Sequence, residues 1–496
     1  MALQVVWFKR DLRLRDAPAV AAALAAPGPH AFLFVWEPEW RAHPTWSPMH
    51  DRFVAESLDD LRMRLRARGA DLMECTGPVE AAFEYLARCA PPGGLEVHST
   101  QEIGLRWTFD RDRRMAGFFR QRGIRWHDHV GCGVQRGRTH RAQWLEEWRA
   151  FVSAPEVVPV WDGLQPFRPD GRDLPPGLEL GRPVLPPEEP GAPRRQPGGE
   201  TAAEAYLRTF LATRARHYAG SISKPEASRT GCSRISPYLA WGNLSVRTAY
   251  GAARRAAEAP GAPRRALAAF AERLRWRDHF MQKFESECRM ETEDVNRAIG
   301  EIGAPRVVVP ERVRAWEEGR TGVPLVDACM RCLAATGYLN FRMRAMLVSY
   351  LTHHLWQPWQ AGADHLARIM LDFEPGIHYP QMQMQAGCTG VTTVRIYNPV
   401  KQAQDHDPDG AFIRRWVPEL AELPVPAVFA PWEMPPLEAA FFGPTGYPAP
   451  LVELEAAARA ARERLWGARK QPAVRAEGAR IVARHVLPRK KQTGRK

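Results

Sequence analysis

Three stretches of the sequence combine residue types able to bind or move charge. The first, Thr230-Gly231-Cys232-Ser233-Arg234-Ile235-Ser236-Pro237, leads into an apolar run, Tyr238-Leu239-Ala240-Trp241. Ser236 suits an N-cap and Pro237 the first helical position. Hydroxyls, an arginine and free amides at a helix start are what a phosphate needs, although a plain capped helix uses the same pattern. The second, Arg273-Leu274-Arg275-Trp276-Arg277-Asp278-His279-Phe280, sets an indole among arginines. Trp stacks on flat rings and Arg pairs with phosphate, so this stretch suits a nucleic acid or a flavin, or a helix with a solvated charged face. In the third, Asn340 to Val348, Arg344 stands within an apolar helix. A buried guanidinium without a carboxylate costs several kcal/mol. Asp372 and Glu374 are the candidates to pair with it.

Two other patterns imitate metal sites. Asp405-His406-Asp407-Pro408-Asp409-Gly410 begins like a calcium loop, but its twelfth position is Trp416 instead of a bidentate Glu. Cys329-Met330-Arg331-Cys332 has no second pair at zinc-ribbon spacing. Neither is expected to hold a metal.

The elements that must position these residues are legible from periodicity. Five apolar runs, Gln4–Phe8, Ala31–Val35, Ala70–Cys75, Leu95–Ser99 and Ile124–His127, read as strands. Between them Val54, Leu58, Leu61 and Leu65, then Val79, Ala82, Phe83 and Leu86, form helix stripes. Alternating strands and helices predict a doubly wound parallel sheet over residues 1–130. The first strand-to-helix turn, Lys9 to Asp16, has no glycine. A dinucleotide fold needs G-x-G-x-x-G there for close backbone approach to pyrophosphate, so a cofactor is expected elsewhere. Residues 131–200 read as a connector, since Ala154 to Glu200 holds 12 of the 44 prolines. Residues 201–470 have a helical pattern, and 471–496 read as a frayed helix and a basic tail.

The whole chain of 496 residues exceeds what one core supports, and its 45% hydrophobic and 25% charged content is that of a globular protein. Eight cysteines are too sparse for a disulfide scaffold, and no apolar run is long enough to span a bilayer. The opening residues do not resemble a signal peptide, so a cytoplasmic location is expected. The net charge of +13 includes six Lys or Arg among the last thirteen residues. That attracts polyanions such as nucleic acid, although a solubilising surface has the same composition.

In this order, several motifs resemble the photolyase and cryptochrome flavoprotein family. They are Val6-Trp7-Phe8-Lys9-Arg10-Asp11-Leu12-Arg13-Leu14, Ser233 to Gly242, Trp276-Arg277, Gly322 to Ala328, Arg395-Ile396-Tyr397-Asn398-Pro399, and Phe412 to Leu420. The resemblance spans nearly the whole chain. It implies an α/β antenna-type domain followed by an all-α domain holding FAD. It places Tyr218, Cys232, Ser233, Arg234, Ile235 and Ser236 against FAD, with Arg277 along the cofactor. It pairs Arg344 with Asp372 beside the flavin ring. Cys232 and Glu374 stand where the family usually has a hydroxyl residue and an Asp. His378 falls at the place facing flavin N5, usually Asn in repair enzymes, where an imidazole could donate a hydrogen bond or a proton. A second, antenna chromophore of folate or deazaflavin type is also implied, with no residue identifying which.

By the same resemblance, Trp276 stacks on the damaged base, and Arg273, Phe341 and Arg342 face DNA. Arg273 and Phe341 replace a Glu and an Asn that bind the dimer in repair enzymes. Of the usual three-tryptophan relay only Trp359 remains, since Met382 and Arg306 take the other two places. Tyr379, Trp356 or Trp276 could supply another path. The implied function is a blue-light-driven photolyase acting as a monomer on UV-damaged DNA. The alternative is a cryptochrome-like photoreceptor without repair activity, whose signalling partner the sequence does not name.

Overall fold

The computed structural model describes residues 1–187, 195–300, 304–442 and 446–487. The end of the basic tail, residues 488–496, lies outside the described residues. The N-terminal half is built on six strands: β1 (Leu3–Phe8), β2 (His30–Trp36), β3 (Leu72–Thr76), β4 (Leu95–Thr100), β5 (Arg125–His129) and β6 (Glu179–Leu180). Their order is β5-β4-β1-β2-β3-β6, parallel throughout except for antiparallel β6 at one edge. The doubly wound sheet follows from the sequence: β1 and β2 are buried at every position, so they read as continuous apolar runs. Helices Pro18–Ala25, Pro48–Arg66, Val79–Cys89 and Arg106–Gln121 are the crossovers.

The Pro-rich stretch carries structure that its composition conceals. Helix Trp144–Ser153 and the two-residue strand β6 both lie within residues 131–200. The remainder of the chain is helical, and its longest helix is Arg264–Ser286. The last described helix is Pro472–His485. Among the described residues, no helix is long and apolar enough to cross a membrane.

The two halves are not separate bodies joined by a string. One face of the sheet, with Phe8, Phe32 and Phe34, shares a single core with Leu207, Phe210, Tyr238, Trp241 and Phe270. The other face packs Val5, Leu33 and Val97 against Phe83 and Met115. A third core, around Trp316, Leu347 and Trp359, lies mainly in the helical half and takes in Ile103, Leu105 and Val134 from the N-terminal half.

The glycine-free turn after β1 locks the halves together. The Arg10 guanidinium donates to the carbonyls of Ala240 and Phe373 at 3.1 and 2.6 Å and lies 4.6 Å over the Trp241 ring. Arg13 donates to the Gly242 carbonyl at 2.9 Å. Asp16 accepts from Ser245 and Arg247, both at 2.6 Å. The Glu200 carboxylate caps the amides of Leu14 and Arg15, each at 2.9 Å. Gly242 has φ +73°, and a Cβ there would stand 2.2 Å from the Arg10 carbonyl oxygen. Gly242→Ala therefore combines a left-handed backbone with a backbone clash, and should cost about 2 kcal/mol or more. A chemical-denaturation midpoint equal to that of the unmodified protein would refute this reading of the clasp.

Candidate functional site

Helix Arg264–Ser286 passes from the surface into the junction of the two halves. Trp276 is 39% exposed, with the Arg275 guanidinium 5.1 Å over its ring. Its neighbour Arg277 points inward instead. It donates to Asp278 at 2.7 Å and to the Leu239 carbonyl at 2.9 Å, and lies 3.5 Å from Glu374. Asp278 is fully buried and accepts from the Gly133 amide and the Trp148 indole, both at 3.0 Å. This helix is thus fixed on its inner side and open at Trp276.

Arg344 finds a carboxylate. Its guanidinium makes a bidentate pair with Asp372, at 2.9 and 3.1 Å, and its Nε donates to the Leu339 carbonyl at 2.7 Å. Glu374 takes no part. It lies with Arg277, Arg10, Asp11, Arg13 and Glu102 around a small cavity between the halves. Burial raises its carboxyl above the ordinary range, against the pull of Arg10 and Arg277. The two candidate acids therefore serve different places.

The Cys232–Ser236 turn holds positive charge without a carboxylate. Arg234, at φ +60°, donates to the Gln196 side-chain oxygen at 2.8 Å and to the Arg229 carbonyl at 3.0 Å. Its guanidinium lies 3.6 Å over the Tyr338 ring. Arg214 reaches the carbonyls of Cys232, Ser233 and Tyr206. Burial lowers the basicity of both arginines, as expected of cations whose charge is not matched locally. The helix Ser236–Ala240 begins one residue earlier than the sequence suggests: Ile235 is the N-cap, and Ser236, in the first turn, does not cap it. Pro237 occupies the second position. Cys232 is buried beside Tyr338, and burial pushes its thiol up to about 11. Tyr218 is also buried, with the Arg273 guanidinium nearby.

His378 is buried and neutral. Its Nε2 lies 2.9 Å from the Ala363 carbonyl, which can only accept, so Nε2 carries the hydrogen and Nδ1 is a bare acceptor. Burial, with Arg344 nearby, pushes the ring down to about 4. The imidazole therefore offers an acceptor where donation of a hydrogen bond or proton was expected.

Tyr379 packs edge-on to Trp359, with centroids 6.3 Å apart, and 5.1 Å from His378. The Trp359 indole donates to Asp294 at 2.6 Å. Met382 is buried nearby, whereas Arg306 lies 4.6 Å over Trp356, which also has Arg464 4.8 Å from its ring. Phe341 is exposed, and Arg342 is half-buried with an unpartnered Nε. Sequence reasoning missed Arg214, Gln196 and Tyr338, which come from three distant segments. It also missed that Asp407, in the false calcium loop, caps the amides of Phe412 and Ile413 at 3.0 Å.

The donor set fits FAD: two half-buried arginines without carboxylates suit a pyrophosphate, and the Arg344–Asp372 fork offers paired polar edges to a ring. Comparison with known proteins agrees. Residues 4–141 match the family model described as DNA photolyase, and residues 270–467 the one described as FAD binding domain of DNA photolyase. The chain is 30% identical over 486 residues to a deoxyribodipyrimidine photo-lyase of Streptomyces griseus, covering 94% of this chain and 100% of the relative. It is 32% identical to one from Thermus thermophilus, covering 84% and 92%. A cryptochrome from Synechocystis sp. PCC6803 has the same fold, with a TM-score of 0.80 at 23% identity, covering 93% and 99%.

His378 also sets a pH dependence. The unfolded ring takes up its proton near its ordinary 6.5, the folded one only near 4. Stability contributed by the neutral ring is complete above 6.5 and falls as pH drops from 6.5 toward 4. His378→Asn should remove up to one proton from the slope of unfolding free energy against pH in that window; an unchanged slope would contradict the assignment.

Proposed function

The chain belongs to the DNA photolyase family, and on that premise we propose that it is an FAD-dependent, blue-light-driven photolyase repairing UV-induced pyrimidine lesions in DNA. The observation that carries this reading is the helix Arg264–Ser286, which presents Trp276 to solvent while its neighbour Arg277 is anchored inside. A base flipped from the duplex needs a flat partner outside the stack, and a rigid aromatic ring supplies one at little cost in entropy. Arg275, ion-paired to Glu272, lies over the indole and steadies that ring.

Bound FAD in its reduced form supplies one-electron donation on absorbing blue light. The protein's own groups do the rest. Arg214 and Arg234 hold the cofactor's negative charge. Arg344, fixed by Asp372, orients a guanidinium toward the ring system. His378 Nδ1 accepts a hydrogen bond there, which favours a protonated ring nitrogen. Arg273, near Tyr218, and exposed Phe341 shape the lesion pocket with an arginine and an aromatic ring in place of acid and amide.

The reading is tested with purified protein whose FAD is reduced chemically, illuminated with oligonucleotides carrying cyclobutane or 6–4 lesions, single- and double-stranded. At least one lesion should be repaired. Trp276→Ala should weaken lesion binding about 10- to 100-fold, the range for loss of one base-stacking contact. Absence of repair of every lesion by fully reduced protein would instead favour the photoreceptor.

For photoreduction we propose an inner path through Tyr379 and Trp359. The Asp294 carboxylate on the indole N–H favours a hole on Trp359, while the two guanidiniums over Trp356 disfavour one there. Trp359→Phe and Tyr379→Phe should each slow FAD photoreduction by external reductant at least tenfold. Unchanged rates in both would sink this path.

A further inference from the structure

Away from the junction, the edge of the sheet carries a cluster that the proposed function does not use. Parallel β4 and β5 place Glu96 opposite Arg125, His98 opposite His127, and Thr100 opposite His129. Glu96, His98, His127 and His129 therefore project from one face. His98 is 4% exposed, and its ring stacks on those of His127 and His129 at 4.7 and 5.6 Å between centroids. Ordinary packing does not call for three imidazoles side by side.

Hydrogen bonds hold the ring nitrogens of this cluster in place. His98 Nε2 lies 3.0 Å from the Gln4 side-chain oxygen, so Nε2 carries the hydrogen and Nδ1 keeps a lone pair, which faces His129 until a cation takes it. A fixed partner on the far ring nitrogen is the usual support of a metal-bound histidine. His98 Nδ1 lies 3.3 Å from His129 Nε2, and His127 Nε2 lies 3.2 Å from a Glu96 oxygen. One ligand atom from each of Glu96, His98 and His127 lies within 4.8 Å of the others. Tetrahedral zinc, with bonds of about 2.0–2.2 Å, sets its ligand atoms roughly 3.3–3.6 Å apart, so the present spacings need only a small contraction.

We propose that Glu96, His98 and His127 form a three-ligand site for a divalent transition metal, with Zn2+ the best match. His129 stands at its margin, and the exposed side of β5 leaves a position open to solvent. Two imidazoles and one carboxylate suit zinc better than calcium or magnesium, which prefer oxygen ligands. Arg125 also contacts Glu96, but its side chain is largely exposed and can swing away when a cation takes the carboxylate. The ion would tie edge strand β5 to β4, and binding to the folded state alone would raise stability by mass action.

The test uses the full-length, FAD-loaded protein, stripped with a chelator and titrated calorimetrically with ZnCl2. One zinc per chain should bind. His127→Ala and Glu96→Gln should each weaken binding at least tenfold with the flavin absorption unchanged, whereas His140→Ala, at an exposed histidine elsewhere, should bind as the parent does. Zinc should also raise the melting temperature of the parent but not of His127→Ala. Failure to bind zinc stoichiometrically, or equal binding by all three variants, overturns the proposal.

Discussion

The turn from Lys9 to Asp16 is the constraint on which the rest of the structure depends. It fills the place where a dinucleotide fold would put its glycines, but its work is to grip the helical half. Arg10, Arg13 and Asp16 place side chains on Ala240, Phe373, Gly242, Ser245 and Arg247. Those contacts fix the start of the Val246–Glu258 helix and the Phe373–Glu374 segment relative to the sheet. The Asp372 carboxylate that holds Arg344 lies one residue from Phe373. The distance from the sheet to the candidate cofactor site is therefore set by main-chain hydrogen bonds at the clasp and by the shared apolar core behind it. A looser joint would let Trp276 and the Arg344–Asp372 pair drift relative to one another, because they sit on different elements.

Charge burial explains how the site is organised. Arg344 is neutralised by a carboxylate in ideal fork geometry, so it is stable without a ligand. Arg214 and Arg234 are satisfied as hydrogen-bond donors by carbonyls, an amide oxygen and a ring face, yet their charge is not cancelled. A folded protein tolerates that when an anion supplies the missing charge. The distinction separates a structural arginine from a ligand-binding one more clearly than burial alone does.

Much of this was legible in the sequence, for physical reasons. The central strands are buried on both faces and show as unbroken apolar runs, and the crossover helices show as stripes. Arg344 called for a carboxylate because an unpaired guanidinium in an apolar helix is too costly. Other features had no local signal. β6 is two residues long and lies among prolines. Tyr338, Arg214 and Gln196 meet Arg234 only through tertiary packing. The role of His378 turned on a carbonyl fifteen residues away, which fixes the hydrogen on one ring nitrogen and reverses the expected polarity of the other.

The same attention to local charge resolves the altered relay. Arg306, where the resemblance expects an outer indole, does more than leave out a carrier. It sets a fixed positive charge beside Trp356, and Arg464 adds a second. A hole moving outward would meet rising potential, whereas at Trp359 it meets Asp294. Burial raises the affinity of Asp294 for a proton above that of an ordinary carboxylate. An oxidised indole is a far stronger acid than a neutral one, and its N–H already points at that oxygen. Proton transfer along this hydrogen bond would convert a mobile positive hole into a neutral radical held in place. On the proposed path, the inner pair Tyr379 and Trp359 would hold charge close to the cofactor site, and the outer arginines would oppose its escape through Trp356.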